Sequence, residues 1–124
     1  MIDNNFQYAE SRWQDVVRHL KTKEFDVYSP GVKVGECTEC YVVVKNDGSS
    51  QMPNISTDED LYAVMVYVPK MQYSKLEPLV QKVKEAMKDL EPMILPFGQQ
   101  TPSYYDDGVK AHTISIEYKN YKKL

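Results

Sequence analysis

Between Asp60 and Leu90 the apolar positions change spacing once, from every second residue to a helical period. Over Asp60–Val68, Tyr62, Val64, Val66 and Val68 fall on one side of an extended chain, and Leu61, Ala63, Met65 and Tyr67 on the other. A strand that is apolar on both sides expects cover on both. Pro69 stops it. From Tyr73 to Leu90, Leu76, Leu79, Val80, Val83, Met87 and Leu90 form one stripe, with Lys75, Gln81, Lys82, Glu85, Lys88 and Asp89 opposite. This pattern predicts an amphipathic helix lying on the strand. Ser74 and Glu77 have capping-box spacing, and Pro78 is tolerated only in a first turn, so the helix is expected to start close to Ser74. Leu79 then reads as a core position whose truncation to Ala costs about 2–5 kcal/mol.

The same reading extends to the flanks. Phe6, Ala9, Trp13, Val16, Val17 and Leu20 make a helical stripe over residues 4–24, with Asp3 or Asn4 as N-cap and Trp13 buried. Pro30-Gly31 marks a turn after a short strand within Phe25–Tyr28, and Tyr41–Lys45 predicts a strand ended by Asn46-Asp47-Gly48. Asn46 to Glu59 is polar and reads as a long loop between two central strands, either an ordered interaction arm or a mobile hairpin tip. Thr101–Tyr105 and Ala111–Tyr118 predict a hairpin closed by Asp106-Asp107-Gly108. In its second strand, His112, Ile114, Ile116 and Tyr118 alternate with Thr113, Ser115, Glu117 and Lys119, as in a sheet with one wet face. The basic end, Asn120 to Leu124, is expected to fray. The order predicts a single α+β domain over residues 1–124: an antiparallel sheet with two helices packed against it.

Composition narrows the function classes. A chain of 124 residues is long enough to bury a real core. No apolar run reaches the length of a membrane span, and the polar, acidic start lacks the pattern of a secretory signal. A net charge of -3 argues against a dedicated nucleic-acid binder, which neutralises phosphates with surplus Lys and Arg. Two cysteines make no disulfide framework, so a reducing compartment is the default. Ten tyrosines are the compositional peculiarity. Tyrosine suits strands, and it also suits interfaces because it offers area at low rotamer cost.

Candidate chemistry is sparse. Cys37-Thr38-Glu39-Cys40 has the spacing of half a zinc site, or of a redox pair. Zinc needs two further ligands, and no second CxxC exists; His19 falls in the first helix pattern and His112 on the last strand. A redox pair belongs at the start of a helix, whereas this one precedes a strand, so the preferred reading is two ordinary thiols. Asp106-Asp107 reads as turn chemistry, and Asp58-Glu59-Asp60 as a solvated run without calcium-loop spacing. No glycine-rich phosphate cradle occurs. No catalytic residue, metal ligand or cofactor is assigned, and an enzyme is not expected.

As an arrangement, the chain resembles the tail terminator (tail completion) proteins of long-tailed bacteriophages and related prophages. The resemblance runs through the Phe6–Trp13–Leu20 helix and the Tyr41-Val42-Val43-Val44 strand after a Pro-Gly turn. It continues through the polar loop, the DLYAVMVYV strand, the LEPLVQKVKEAMKDLEPM helix and the closing hairpin to HTISIEYKN. Glu39-Cys40 departs from it, since such proteins often carry a proline there. The resemblance implies a structural virion protein of the neck, assembled in the host cytoplasm. It would form a ring, typically a hexamer, capping the tail tube, with the tube protein and a head connector or stopper protein as partners. It implies no membrane and no sequence-specific nucleic acid. The interface candidates are Met52, Pro53 and Ile55 in the polar loop, Met93, Ile94, Leu95 and Phe97 in the connection after the second helix, and Tyr104 and Tyr105. Another head–tail joining protein is the alternative; a small thiol- or zinc-dependent protein using Cys37 and Cys40 ranks lower.

Overall fold

The structure, a computed structural model, describes residues 12–51, 57–98 and 100–123. Its elements are α1 (Trp13–Thr22), β1 (Val27–Tyr28), β2 (Tyr41–Gln51), β3 (Thr57–Pro69), α2 (Leu76–Met87), β4 (Leu95–Pro96), β5 (Tyr104–Asp106) and β6 (Ala111–Lys123). They form a six-stranded sheet in the order β1-β2-β3-β6-β4, with β5 also on β6. All pairings are antiparallel except β1 with β2, which is parallel. The α+β expectation holds, and β3 is the central strand.

Cross-strand register explains the core. Val42, Val66 and Ile114 form one row, Val44, Val64 and Ile116 the next, and Tyr62 sits opposite Tyr118. These side chains are buried with Val16 and Leu20 of α1 and with Leu76, Val80, Val83 and Met87 of α2. The other side of β3 is covered as well, but by loop. Residues 29–40 form a strap across the sheet, and the Cys37 N–H donates to the Val109 carbonyl at 2.7 Å. Beneath it, Cys37, Tyr41, Val43, Tyr67 and Ala111 make a second, smaller cluster. The strand's two-sided apolar pattern is thereby satisfied by two unlike covers.

Several boundaries differ from the expectations. Asn46-Asp47-Gly48 does not end β2. The Asn46 Oδ1 accepts the Gly48 N–H at 2.8 Å, Gly48 has φ +102°, and the register with β3 shifts between Asn46 and Ser49. The turn chemistry is spent on a bulge inside a continuing strand, where glycine tolerates the positive φ. Pairing resumes at Ser49↔Asp60 and runs to Gln51↔Asp58, so the expected loop shrinks to residues 52–56, outside the described residues. The basic end is not frayed up to Lys123: β6 stays paired there, with Thr57 opposite Lys123 and Asp58 opposite Lys122. The three strands therefore stay paired beyond the bulge. Nor does Asp58-Glu59-Asp60 form a loop; it is part of β3, and the Asp60 side chain is buried.

The second helix begins later than Tyr73. A 3-10 turn fills Lys70–Lys75, α2 starts at Leu76, and no side chain caps it, so the Ser74–Glu77 capping box is absent. Ser74 already lies inside a helical turn and lacks the extended backbone an N-cap needs. A second 3-10 turn, Lys88–Leu90, prolongs the far end. Leu79 is only half-buried, while Leu76, Val80, Val83 and Met87 are fully covered.

Over the described residues α1 ends at Thr22, with the Phe25 N–H on the Leu20 carbonyl and the Glu24 N–H on Lys21. That is a Schellman ending with Glu24, at φ 72°, where glycine is the usual residue. Trp13 is half-buried rather than buried; its Nε1 donates to the Val44 carbonyl at 2.8 Å and ties α1 to β2. The expected N-cap at Asp3 or Asn4, and Phe6 and Ala9, lie outside the described residues.

Candidate interaction surface

Two short strands share one edge of β6. Leu95 and Pro96 pair with Lys119 and Tyr118, and Tyr104–Asp106 pair with Thr113, His112 and Ala111. At about 3.3 Å per residue the two sets stand roughly 17 Å apart along β6. Met93, Phe97, Tyr104 and Tyr105 are exposed along this edge. The Phe97 ring lies 5.1 Å from the Lys119 Nζ, and its N–H donates to the Glu117 carbonyl at 2.9 Å. The other candidates fare differently. Ile94 is 0% exposed and belongs to the chain's own core, and Leu95 is half-buried. The apolar run Met93-Ile94-Leu95 is thus anchored at its middle residue, with Met93 exposed and Leu95 half-buried, because a short connection needs one side chain driven into the core to hold it. Met52, Pro53 and Ile55 lie outside the described residues.

At the Pro69/Ala111 end of the sheet, sequence reasoning missed a further group. Met71 and Tyr73, on the 3-10 turn before α2, are exposed. The Tyr73 hydroxyl is 3.1 Å from the Ser103 Oγ. The His112 ring lies between two tyrosines, 4.7 Å from Tyr73 and 5.2 Å from Tyr105, with its Nε2 3.2 Å from the Lys70 carbonyl. His112 thus packs as an aromatic. His19 is a bracket between helices, its Nε2 2.7 Å from the Ala86 carbonyl and 3.6 Å from Asp89. Lys23 meets the same Asp89 at 3.0 Å and holds its carboxyl below the usual range.

A second apolar surface sits on the strap. Val32 and Val34 are exposed, Val34 to 80%. Between them Lys33 turns back, its Nζ 5.0 Å from the Tyr28 ring and 5.3 Å from Tyr41, which itself stacks on Tyr67 at 4.9 Å. The strap and the β4/β5 edge are chemically different surfaces. Periodicity could not find the first, since Val32 and Val34 belong to no regular element.

The thiols are free. Cys37 is buried with its Sγ 3.2 Å from the Glu39 carbonyl, and burial raises its pKa; Cys40 is half-buried. Among the described residues, no three His, Cys, Asp or Glu side chains gather as a metal site would require. Asp106 behaves as a turn residue, its Oδ1 accepting the Gly108 N–H at 2.9 Å. The expected wet face of β6 is drier than its alternation suggests. Thr113 and Ser115 are buried, and residue Thr101 exchanges both backbone-directed bonds with Ser115 at 2.9 Å.

A cavity of about 210 Å³ opens between α2 and the β4 connection, walled by Met87, Pro96, Ile116 and Tyr118 with Lys84 and Lys88 at its rim. Among the described residues no helix is long and apolar enough to cross a membrane. The chain matches no protein-family model, and no curated protein is significantly similar to it.

Proposed function

We propose that this protein is a structural subunit of the phage tail-terminator type, assembling with copies of itself into a ring that closes a tail tube and meets the head side of the neck. The observation that carries the reading is the pair of unlike exposed apolar surfaces: the β4/β5 edge with Phe97, Tyr104 and Tyr105, and the strap with Val32 and Val34. A two-fold dimer buries the same patch on both partners. Two different patches suit a head-to-tail contact, which closes into a ring when the rotation per subunit divides a full turn. Aromatic residues at such an edge supply the anchors that interfaces favour. The sequence resemblance supports the same reading, and the acidic balance suits a lumen that DNA crosses without adhering.

The test mixes purified protein with tail tubes and images the tube ends by negative stain, alongside native mass spectrometry of the protein alone. The expected result is a cap of several copies on one end of the tube, lost in a Tyr104→Ser/Tyr105→Ser variant that remains folded. A protein that stays monomeric and leaves tube ends bare overturns the proposal.

A further inference from the structure

The strap follows β1 at one edge of the sheet, and the β5–β6 hairpin lies at the other. The two stand at one level. Tyr41 of β2 pairs with Tyr67 of β3, Tyr67 with Thr113 of β6, and Thr113 with Tyr104 of β5. Directly paired residues of antiparallel strands share a face, so these four make a single row across the sheet. The row starts beneath Lys33 of the strap, 5.3 Å from the Tyr41 ring, and ends on the exposed Tyr104. A line from strap to hairpin therefore runs across the strands with no offset along them. Head-to-tail contacts of that kind keep successive copies level and close into rings, whereas an offset repeated at every copy winds into a filament.

Charge distinguishes the two ends of the row. Between strap and sheet a groove of about 250 Å³ is floored by Tyr41, Met65 and Tyr67 and edged by Lys33 and Lys45, with no acidic residue in its lining. Lys45 has Asp47 at 3.8 Å, but Lys33 is exposed and makes no ion pair among the described residues. On either side of it Val32 and Val34 are exposed. The hairpin offers the opposite chemistry: Tyr104 and Tyr105 are exposed, and Asp106-Asp107 follows them. Asp106 is engaged by the Gly108 N–H, whereas the Asp107 side chain is 88% exposed and has Lys110 no nearer than 3.8 Å. An exposed pair at that separation contributes little and yields readily to a better partner.

We propose that the Asp107 carboxylate of one copy pairs with the Lys33 ammonium of the next, with Tyr104 and Tyr105 resting on Val32 and Val34. The pairing rests on the ring reading and names its contact. The aromatic rings supply the buried area, and the ion pair fixes which copy edge meets which.

Equal amounts of ordinary and heavy-isotope-labelled full-chain protein, treated with a carbodiimide that joins an amine to a carboxylate in contact with it, test the pairing. The expected product is a Lys33–Asp107 link of mixed isotope, which lies between copies and needs no substitution. On tail tubes, Lys33→Glu and Asp107→Lys are each expected to lower capping about tenfold, and the double reversal to recover most of the loss. Rings that lack the link, single variants that cap as well as the parent, or a double reversal no better than the singles overturn the pairing and leave the ring standing. A mixed-isotope link in protein that never caps tubes supports the pairing and overturns the ring. With neither ring nor link, both fall.

Discussion

Tyr62→Phe separates what a buried ring contributes from what its hydroxyl does. Tyr62 is fully buried on the helix side of β3, and its hydroxyl accepts the Arg12 N–H at 3.1 Å. No side chain at the N-cap position Arg12 caps α1, so this phenol supplies a partner for the Arg12 N–H. The same hydroxyl reaches the Asp60 Oδ2 at a long 3.4 Å. Removing the oxygen keeps the ring's packing and costs the net value of one neutral hydrogen bond plus part of a desolvated donor, about 1–1.5 kcal/mol. The long bond to Asp60 adds little. For a domain of this size that is a drop in Tm of about 3–6 °C. Urea unfolding followed by the single tryptophan, Trp13 on α1, measures it with m expected to be unchanged. A loss below about 0.3 kcal/mol, or a loss with no fall in amide protection over the first turn of α1, refutes the claim that Tyr62 holds that helix start.

Other outcomes follow from the same packing. Met87→Ala is expected to cost about 2–5 kcal/mol, and Leu79→Ala about 1–2, because only Met87 is fully enclosed; equal costs in denaturant melts would contradict the observed face of α2. Glu24→Gly relieves a left-handed residue at the end of α1 and should stabilise by about 0.5–1 kcal/mol, read as a higher urea midpoint. Tyr41, Tyr62, Tyr67 and Tyr118 are pushed up to about 12 by burial. Their contribution is whole below pH 10 and lost as the pH rises through 12, so ultraviolet titration should show a late phenolate step that merges with unfolding. Cys40 is expected to react with a thiol reagent faster than Cys37, whose thiol is buried and raised in pKa; the reverse order would place the strap differently.

Local pattern determined much of this protein. The two-sided run of β3, the apolar stripe of α2 and the alternation of β6 each carry their own period, and period alone places a side chain on a face. The exposure of Tyr104, Tyr105, Met93 and Phe97 along one edge was likewise legible, because large apolar residues beside turn and proline signals have little regular structure to enter. What tertiary structure alone decided concerns partners far away in sequence. Asn46-Asp47-Gly48 forms a turn by its own chemistry, yet β3 and β6 supply enough pairing beyond it that the strand runs on through a bulge. Ile94 is apolar like its neighbours, and only its place in the core shared by the sheet and both helices makes it an anchor. Leu79 shares the helical stripe with Val83, but how far the sheet extends beneath the helix sets which of them is enclosed. Periodicity fixes the direction of a side chain; only the assembled sheet fixes what it meets.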